Sequence, residues 1–165
     1  MANWWPVHMD SWSAISAELA ILPTVITRPI HSFWSTRNLA LYQPHLTGLW
    51  KWFELEKLEP FAIAYVGQPA RTEQGRHVDH GPPDEAYNPK LALNLPVQGC
   101  EGTYTALWDH TYQKEQDRYY LTGGPVLLNI RCPHSVVNPT DHYRHVISVR
   151  FKTDPWHLTD KYQHG

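Results

Sequence analysis

From residue 61 onward the sequence is a succession of short strand-like runs set between turn residues. That rhythm restricts the chain to a closed β architecture. The runs are 61–66 (FAIAYV), 76–79, 91–97 (LALNLPV), 103–108 (TYTALW), 118–121 (RYYL), 126–130 (VLLNI), 135–137 and 144–151 (RHVISVRF). Gly99, Gly102, Gly123-Gly124 and Asn138-Pro139 stand between them as turn formers. Short strands recurring about every eight to twelve residues read as a sandwich or barrel. The expected fold is mainly β, a jelly roll of about eight strands. Residues 67–75 read as a polar loop and residues 80–89 (HGPPDEAYNP) as a Pro-rich one.

The first sixty residues have another character. Residues 3–9 are an aromatic lead-in, and Asp10 or Ser11 is placed to cap a helix ending near Ala20. Residues 29–34 read as loop. A second helix is expected within 45–59, where Leu49, Trp52, Phe53 and Leu55 or Glu56 follow a helical period and Pro60 stops it. Both helices are expected to pack on the sheet. The organisation expected is one domain, 1–165, with a helical and aromatic support at 1–60 and a β core at 61–157.

Charge and composition weigh against some partners. The formal net charge is −2 with no basic block, whereas nucleic-acid backbone binding needs a basic stripe. No apolar run approaches the roughly 18 residues of a membrane span. The start, MANWWPVHMD, has no basic segment followed by an apolar one. Cys100 and Cys132 lack metal-site or redox spacing, so two free thiols and a cytoplasmic location are expected.

The chemistry-bearing stretch is 134–151. Strand side chains alternate faces. Arg144, Val146, Ser148 and Arg150 therefore share one face, and His145, Ile147, Val149 and Phe151 share the other. The second face reads as packing. The first carries cavity-type polar groups, with Arg144 ten positions after His134. His77 and Asp79 form an H-x-D pair at the start of the β region. Two imidazoles and a carboxylate suit a non-haem Fe(II) that keeps open positions. H-x-D by itself is weak, because His8-Met9-Asp10 is another, beside an expected helix cap. Other readings stay open at this point. His77 and Asp79 could be a surface pair, His134 a turn residue, Arg144 a partner of Asp141, and Arg150 a rim salt bridge. A metal set of His77, His80 and His134 also stays open. Tyr104 and Trp108 share a strand face and could line a pocket or fill it.

These residues resemble the Fe(II)/2-oxoglutarate-dependent dioxygenases of the double-stranded β-helix fold, nearest to the aspartyl/asparaginyl β-hydroxylase type and small phage or bacterial relatives. The resemblance covers 61–157. It is carried by His77-Val78-Asp79, residues 88–97 leading into Gly99-Cys100, residues 125–130, His134-x₂-Val137-x₆-Arg144 running into ISVRF, and Trp156-His157. It implies that His77, Asp79 and His134 bind Fe(II) and that Arg144 binds the distal carboxylate of 2-oxoglutarate. A guanidinium suits that role because it offers a carboxylate a bidentate fork. Many β-hydroxylase-type members lack the acid ligand that Asp79 supplies here. They also carry basic residues on the strand where this chain has Lys90, Ala92 and Asn94. Asn94 is the candidate second anchor of the cosubstrate, and Ser148 a candidate lining residue. The activity implied is hydroxylation of a polar small molecule or an amino-acid or peptide side chain, with O2 consumed and succinate and CO2 released. The loops 67–75 and 80–89 are candidate lids. Two alternatives remain. One is a cupin-like metalloenzyme without 2-oxoglutarate, which has no need of an inward Arg144. The other is a non-catalytic jelly-roll binding module, which needs neither His77 nor His134.

Overall fold

The computed structural model describes residues 2–25, 34–37, 42–79 and 87–160. Two antiparallel sheets face each other. The larger has the order β1-β8-β5-β10-β3-β2 and the smaller β4-β9-β6-β7. The strands are β1 (Trp4–Pro6), β2 (Trp34–Arg37), β3 (Pro60–Gln68), β4 (Thr72–His77), β5 (Leu91–Gln98), β6 (Tyr104–Trp108), β7 (Glu115–Tyr120), β8 (Val126–Asn129), β9 (His134–Asn138) and β10 (Arg144–Phe151). Strands β3 to β10 divide equally between the sheets as a jelly roll. β1 and β2 extend the larger sheet at its two edges.

The helices cover the outer face of the larger sheet. Among the described residues they include α1 (Trp12–Leu19), α2 (Leu22–Val25) and α3 (Thr47–Leu55). Ile15 and Leu19 of α1 and Leu49, Trp52 and Phe53 of α3 join Ile63, Leu93, Ile147, Val149 and Phe151 of the sheet in one buried cluster. The period expected for α3 holds for Leu49, Trp52 and Phe53, but Leu55 is 80% exposed. The helix stops before Pro60: Lys57 already has φ 56°, and Pro60 opens β3. Ser11 occupies the N-cap position of α1 without a side-chain cap bond. Asp10 instead meets His8 Nε2 at 2.7 Å on the exposed surface, so this second H-x-D is a surface pair.

Phe151 shows how the outer face of β10 is held. It is buried, and its ring meets Phe53 edge-on at 5.4 Å and 81°. Phe151→Ala is expected to destabilise the fold by about 3–5 kcal/mol, through lost transfer energy and the cavity left behind. Denaturant unfolding measures it.

Three expectations change. Residues 67–75 are not a loop: 67–68 end β3, 72–75 belong to β4, and only the turn between them is irregular. Residues 3–9 contain β1, which pairs with β8. Residue 34, expected in a loop, begins β2. Both thiols are free, Cys100 buried and Cys132 half-buried. No described helix is long and apolar enough to cross a membrane.

Candidate functional site

Between the sheets lies a cavity of about 220 Å³. Arg144, Val146, Ser148 and Arg150 of β10 all line it, as strand parity requires. Ala62, Ala64 and Val66 of β3, Ala92 and Asn94 of β5 and Leu128 of β8 share that wall, while the opposite wall includes His77, Thr105, Tyr119, His134 and Val136. Ser148 sits opposite both Asn94 and Ala64 in the ladder.

His77 and His134 are directly opposed across β4 and β9, and their ring centroids lie 4.4 Å apart. Asp79 joins them: the three residues' ligand-type atoms all lie within 4.8 Å of one another. Asp79 Oδ1 is 3.3 Å from His77 Nε2, and Oδ2 is 3.9 Å from His134 Nε2. Each imidazole uses its other nitrogen on a backbone carbonyl, His77 Nδ1 to Gly75 at 2.6 Å and His134 Nδ1 to Cys132 at 2.8 Å. With Nδ1–H donated there, each Nε2 carries the lone pair that a cation needs. Two imidazole nitrogens and one carboxylate suit Fe(II).

The convergence rests on a break in β4. The register shifts between Gln74 and His77. Gln74 and His77 both face the cavity, while Arg76 turns away and lies 3.5 Å over the Trp108 ring. β4 ends at His77, so Asp79 is not on a strand. Its amide donates to Ile130 O at 3.0 Å. Arg131 holds its carbonyl through Nη1 at 3.1 Å and also bonds Pro89 O at 3.2 Å and the Asn88 side chain. One guanidinium thereby ties Asp79 to Asn88 and Pro89. Arg131→Met is expected to lower metal affinity by about 10–100-fold, the usual effect of losing a residue that orients a ligand. A competition titration with a chelator would show it, and unchanged affinity would count against this tie.

Burial and charge shape the three groups. Burial holds the His134 pKa below the ordinary imidazole range. The bond to Asp79 raises that of His77 against the opposing effect of burial. Burial pushes Asp79 up, but the His77 bond and the nearby His134 and Arg150 charges outweigh it and hold the carboxyl low. This is a carboxylate kept ionised beside Arg150, ready for a cation.

Arg150 corrects an expectation. It forms a salt bridge, but in the cavity wall and not at the rim: Nη2 lies 3.3 Å from Asp79 Oδ2. Asp141 is not the partner of Arg144; it meets Arg71 Nε at 2.6 Å. Arg144 is 7% exposed. Among the described residues no carboxylate pairs with it, and its Nε has no hydrogen-bond partner. Burial alone lowers its pKa, with Cys100 and Tyr119 opposing weakly. A buried, unpaired guanidinium on a cavity wall is costly without an anion.

Tyr119, not singled out in the sequence, stands near Arg144 in this polar recess. Asn94 Nδ2 donates to its hydroxyl at 3.2 Å, its ring stacks on Trp4 at 5.3 Å, and burial raises its pKa. Only its place in the RYYL run marked it, and Tyr120 shared that. Tyr104 and Trp108 do not line the cavity; Thr105 between them does. His80 and most of the 80–89 loop lie outside the described residues.

No protein-family profile and no curated protein sequence matches the chain. Solved structures do. A Pseudomonas putida prolyl-4-hydroxylase superposes with a TM-score of 0.55 at 17% identity, over 90% of each chain. The viral collagen prolyl hydroxylase of Paramecium bursaria Chlorella virus-1, solved with 2-oxoglutarate, gives 0.57 at 10% identity over 90% of this chain and 94% of that one. An oxidoreductase of the 2-oxoglutarate–Fe(II) oxygenase family from Burkholderia pseudomallei gives 0.58 at 12% identity over 84% and 78%. The fold is that of these oxygenases. At such identities the likeness is one of fold, the jelly roll expected from the strand rhythm.

Proposed function

We propose that the chain is an Fe(II)- and 2-oxoglutarate-dependent oxygenase that hydroxylates a polar small molecule or an amino-acid or peptide side chain. One observation carries the reading: the cavity that holds the His77–Asp79–His134 cluster also holds Arg144, buried and without a carboxylate partner among the described residues. A metal-only enzyme has no use for that guanidinium. A binding module has no use for three converging ligands.

In this reading His77, Asp79 and His134 hold the metal, each imidazole through the Nε2 that its backbone bond leaves available. Arg144 binds the distal carboxylate of 2-oxoglutarate. Asn94 and the Tyr119 hydroxyl beside it supply neutral polar contacts in the same recess. Ser148 lines the wall between that recess and the metal end. Arg150 neutralises and fixes Asp79, so the acid keeps its orientation. Ala62, Ala64 and Ala92 leave room, and Val66, Leu128 and Val136 limit water. Bound iron would supply the redox chemistry that couples decarboxylation of 2-oxoglutarate by O2, giving succinate and CO2, to oxygen insertion into a substrate C–H bond.

We also read residues 1–165 as one domain, with 1–60 supporting the 61–157 core. The nearer kinship we assign to the aspartyl/asparaginyl β-hydroxylase type, on His134-x₂-Val137-x₆-Arg144, and the location to the cytoplasm, where Fe(II) and two free thiols belong together. The test is succinate release from 2-oxoglutarate in air with Fe(II), across amino-acid, peptide and small-molecule substrates. Metal-dependent succinate formation, stimulated by one of these classes, is expected. Folded, metal-loaded protein that never releases succinate would contradict the proposal.

A further inference from the structure

We infer that Gln68 is the positioning residue of Arg144 and so helps set which dicarboxylate the cavity accepts. The inference rests on the proposal that Arg144 binds the distal carboxylate of 2-oxoglutarate. Among the described residues, two buried side-chain polar atoms have no hydrogen-bond partner: Gln68 Oε1 and Arg144 Nε. One is an acceptor and the other a donor. They belong to residues directly opposite each other in the β3–β10 ladder. Opposed residues of an antiparallel pair share a face, with Cβ atoms about 4.5–5.5 Å apart. Gln68 is 1% exposed and Arg144 7%, so bulk water satisfies neither orphan.

The carboxamide of Gln68 is held fixed. Its Nε2 donates to Thr72 O at 3.2 Å and to Val136 O at 3.1 Å. Those bonds bridge the two sheets and settle which end of the amide is the oxygen. Arg144 lacks a matching restraint at Nε, so the guanidinium is the partner that adjusts. Seated with Nε–H on Gln68 Oε1, it presents its two Nη groups as a fork to a carboxylate. The separation between that fork and the His77–Asp79–His134 cluster then fixes the length of diacid that spans the cavity. Gln68 touches no substrate; it acts through Arg144.

The test compares wild type, Gln68→Glu and Gln68→Leu, each loaded anaerobically with Fe(II) and titrated with 2-oxoglutarate and with the one-carbon-longer 2-oxoadipate. Binding is read from visible absorption and from the melting shift. Gln68→Glu, nearly isosteric, places a competing carboxylate beside the guanidinium. Its 2-oxoglutarate affinity is expected to fall by about tenfold or more while Fe(II) affinity is unchanged. Gln68→Leu is expected to narrow the preference for 2-oxoglutarate over 2-oxoadipate. Wild-type affinity and selectivity in both variants would overturn the inference and leave the oxygenase reading standing. Loss of fold in both would assign Gln68 to the sheets alone and overturn it as well. Wild type that binds Fe(II) but neither diacid would remove the oxygenase reading and this inference with it.

Discussion

Alanine in place of His134 is expected to lower Fe(II) affinity by at least ~100-fold and to abolish turnover. Losing a residue that merely orients a ligand costs about 10–100-fold, and His134 is proposed to be a ligand itself. The residue is 3% exposed, and its Nδ1 is fixed by Cys132 O, so its ring is held in place at the cavity. His8→Ala removes the histidine of the other H-x-D pair. That pair is exposed, a contact of His8 with Asp10 on the surface. His8→Ala is expected to leave metal affinity unchanged. Chelator competition on both variants, with circular dichroism to confirm folding, checks the contrast. Equal affinities for the two variants would remove His134 from the site.

Methionine in place of Arg144 has two expected effects of opposite sign. Cosubstrate affinity falls by about 100-fold, as for one partner lost from a buried charge pair, while Fe(II) affinity is kept. The cosubstrate-free protein becomes more stable by about 1 kcal/mol or more, because an unpaired buried charge gives way to an apolar side chain of similar length. Burial already works against the charged form of this arginine. Such an exchange of stability for binding is what a functional residue shows and a structural one does not. Melting curves with and without 2-oxoglutarate check both parts. A marked loss of stability in Arg144→Met would mean that the guanidinium serves the scaffold.

Much of this was legible because strands have a period of two. The alternation along 144–151 put Arg144, Val146, Ser148 and Arg150 on the cavity wall and Ile147, Val149 and Phe151 in the core, with His145 half-buried against the Tyr65 ring; His134 and His77 proved to be cross-strand neighbours. What was hidden depends on contacts between distant segments. The register shift after Gln74 that turns His77 inward follows from pairing with β9, which no local pattern reports. Asp79 reaches the cluster through Ile130 and Arg131, not through an extended strand. Arg150 read as a rim residue because parity gives the face but not how close the face comes to Asp79. Tyr119 was indistinguishable from Tyr120 until the opposite sheet supplied Asn94. β1 is too short to show a period, and it exists because β8 offers it an edge.

The central claim is that one cavity holds a metal at His77, Asp79 and His134 and a dicarboxylate at Arg144. The most direct measurement is anaerobic titration of the Fe(II)-loaded protein with 2-oxoglutarate, followed by visible absorption. A weak charge-transfer band should grow and saturate near one equivalent, and it should be absent in His134→Ala and displaced to much higher concentration in Arg144→Met. Folded wild-type protein that binds Fe(II) but develops no band, or a band that is the same in His134→Ala, would contradict the account.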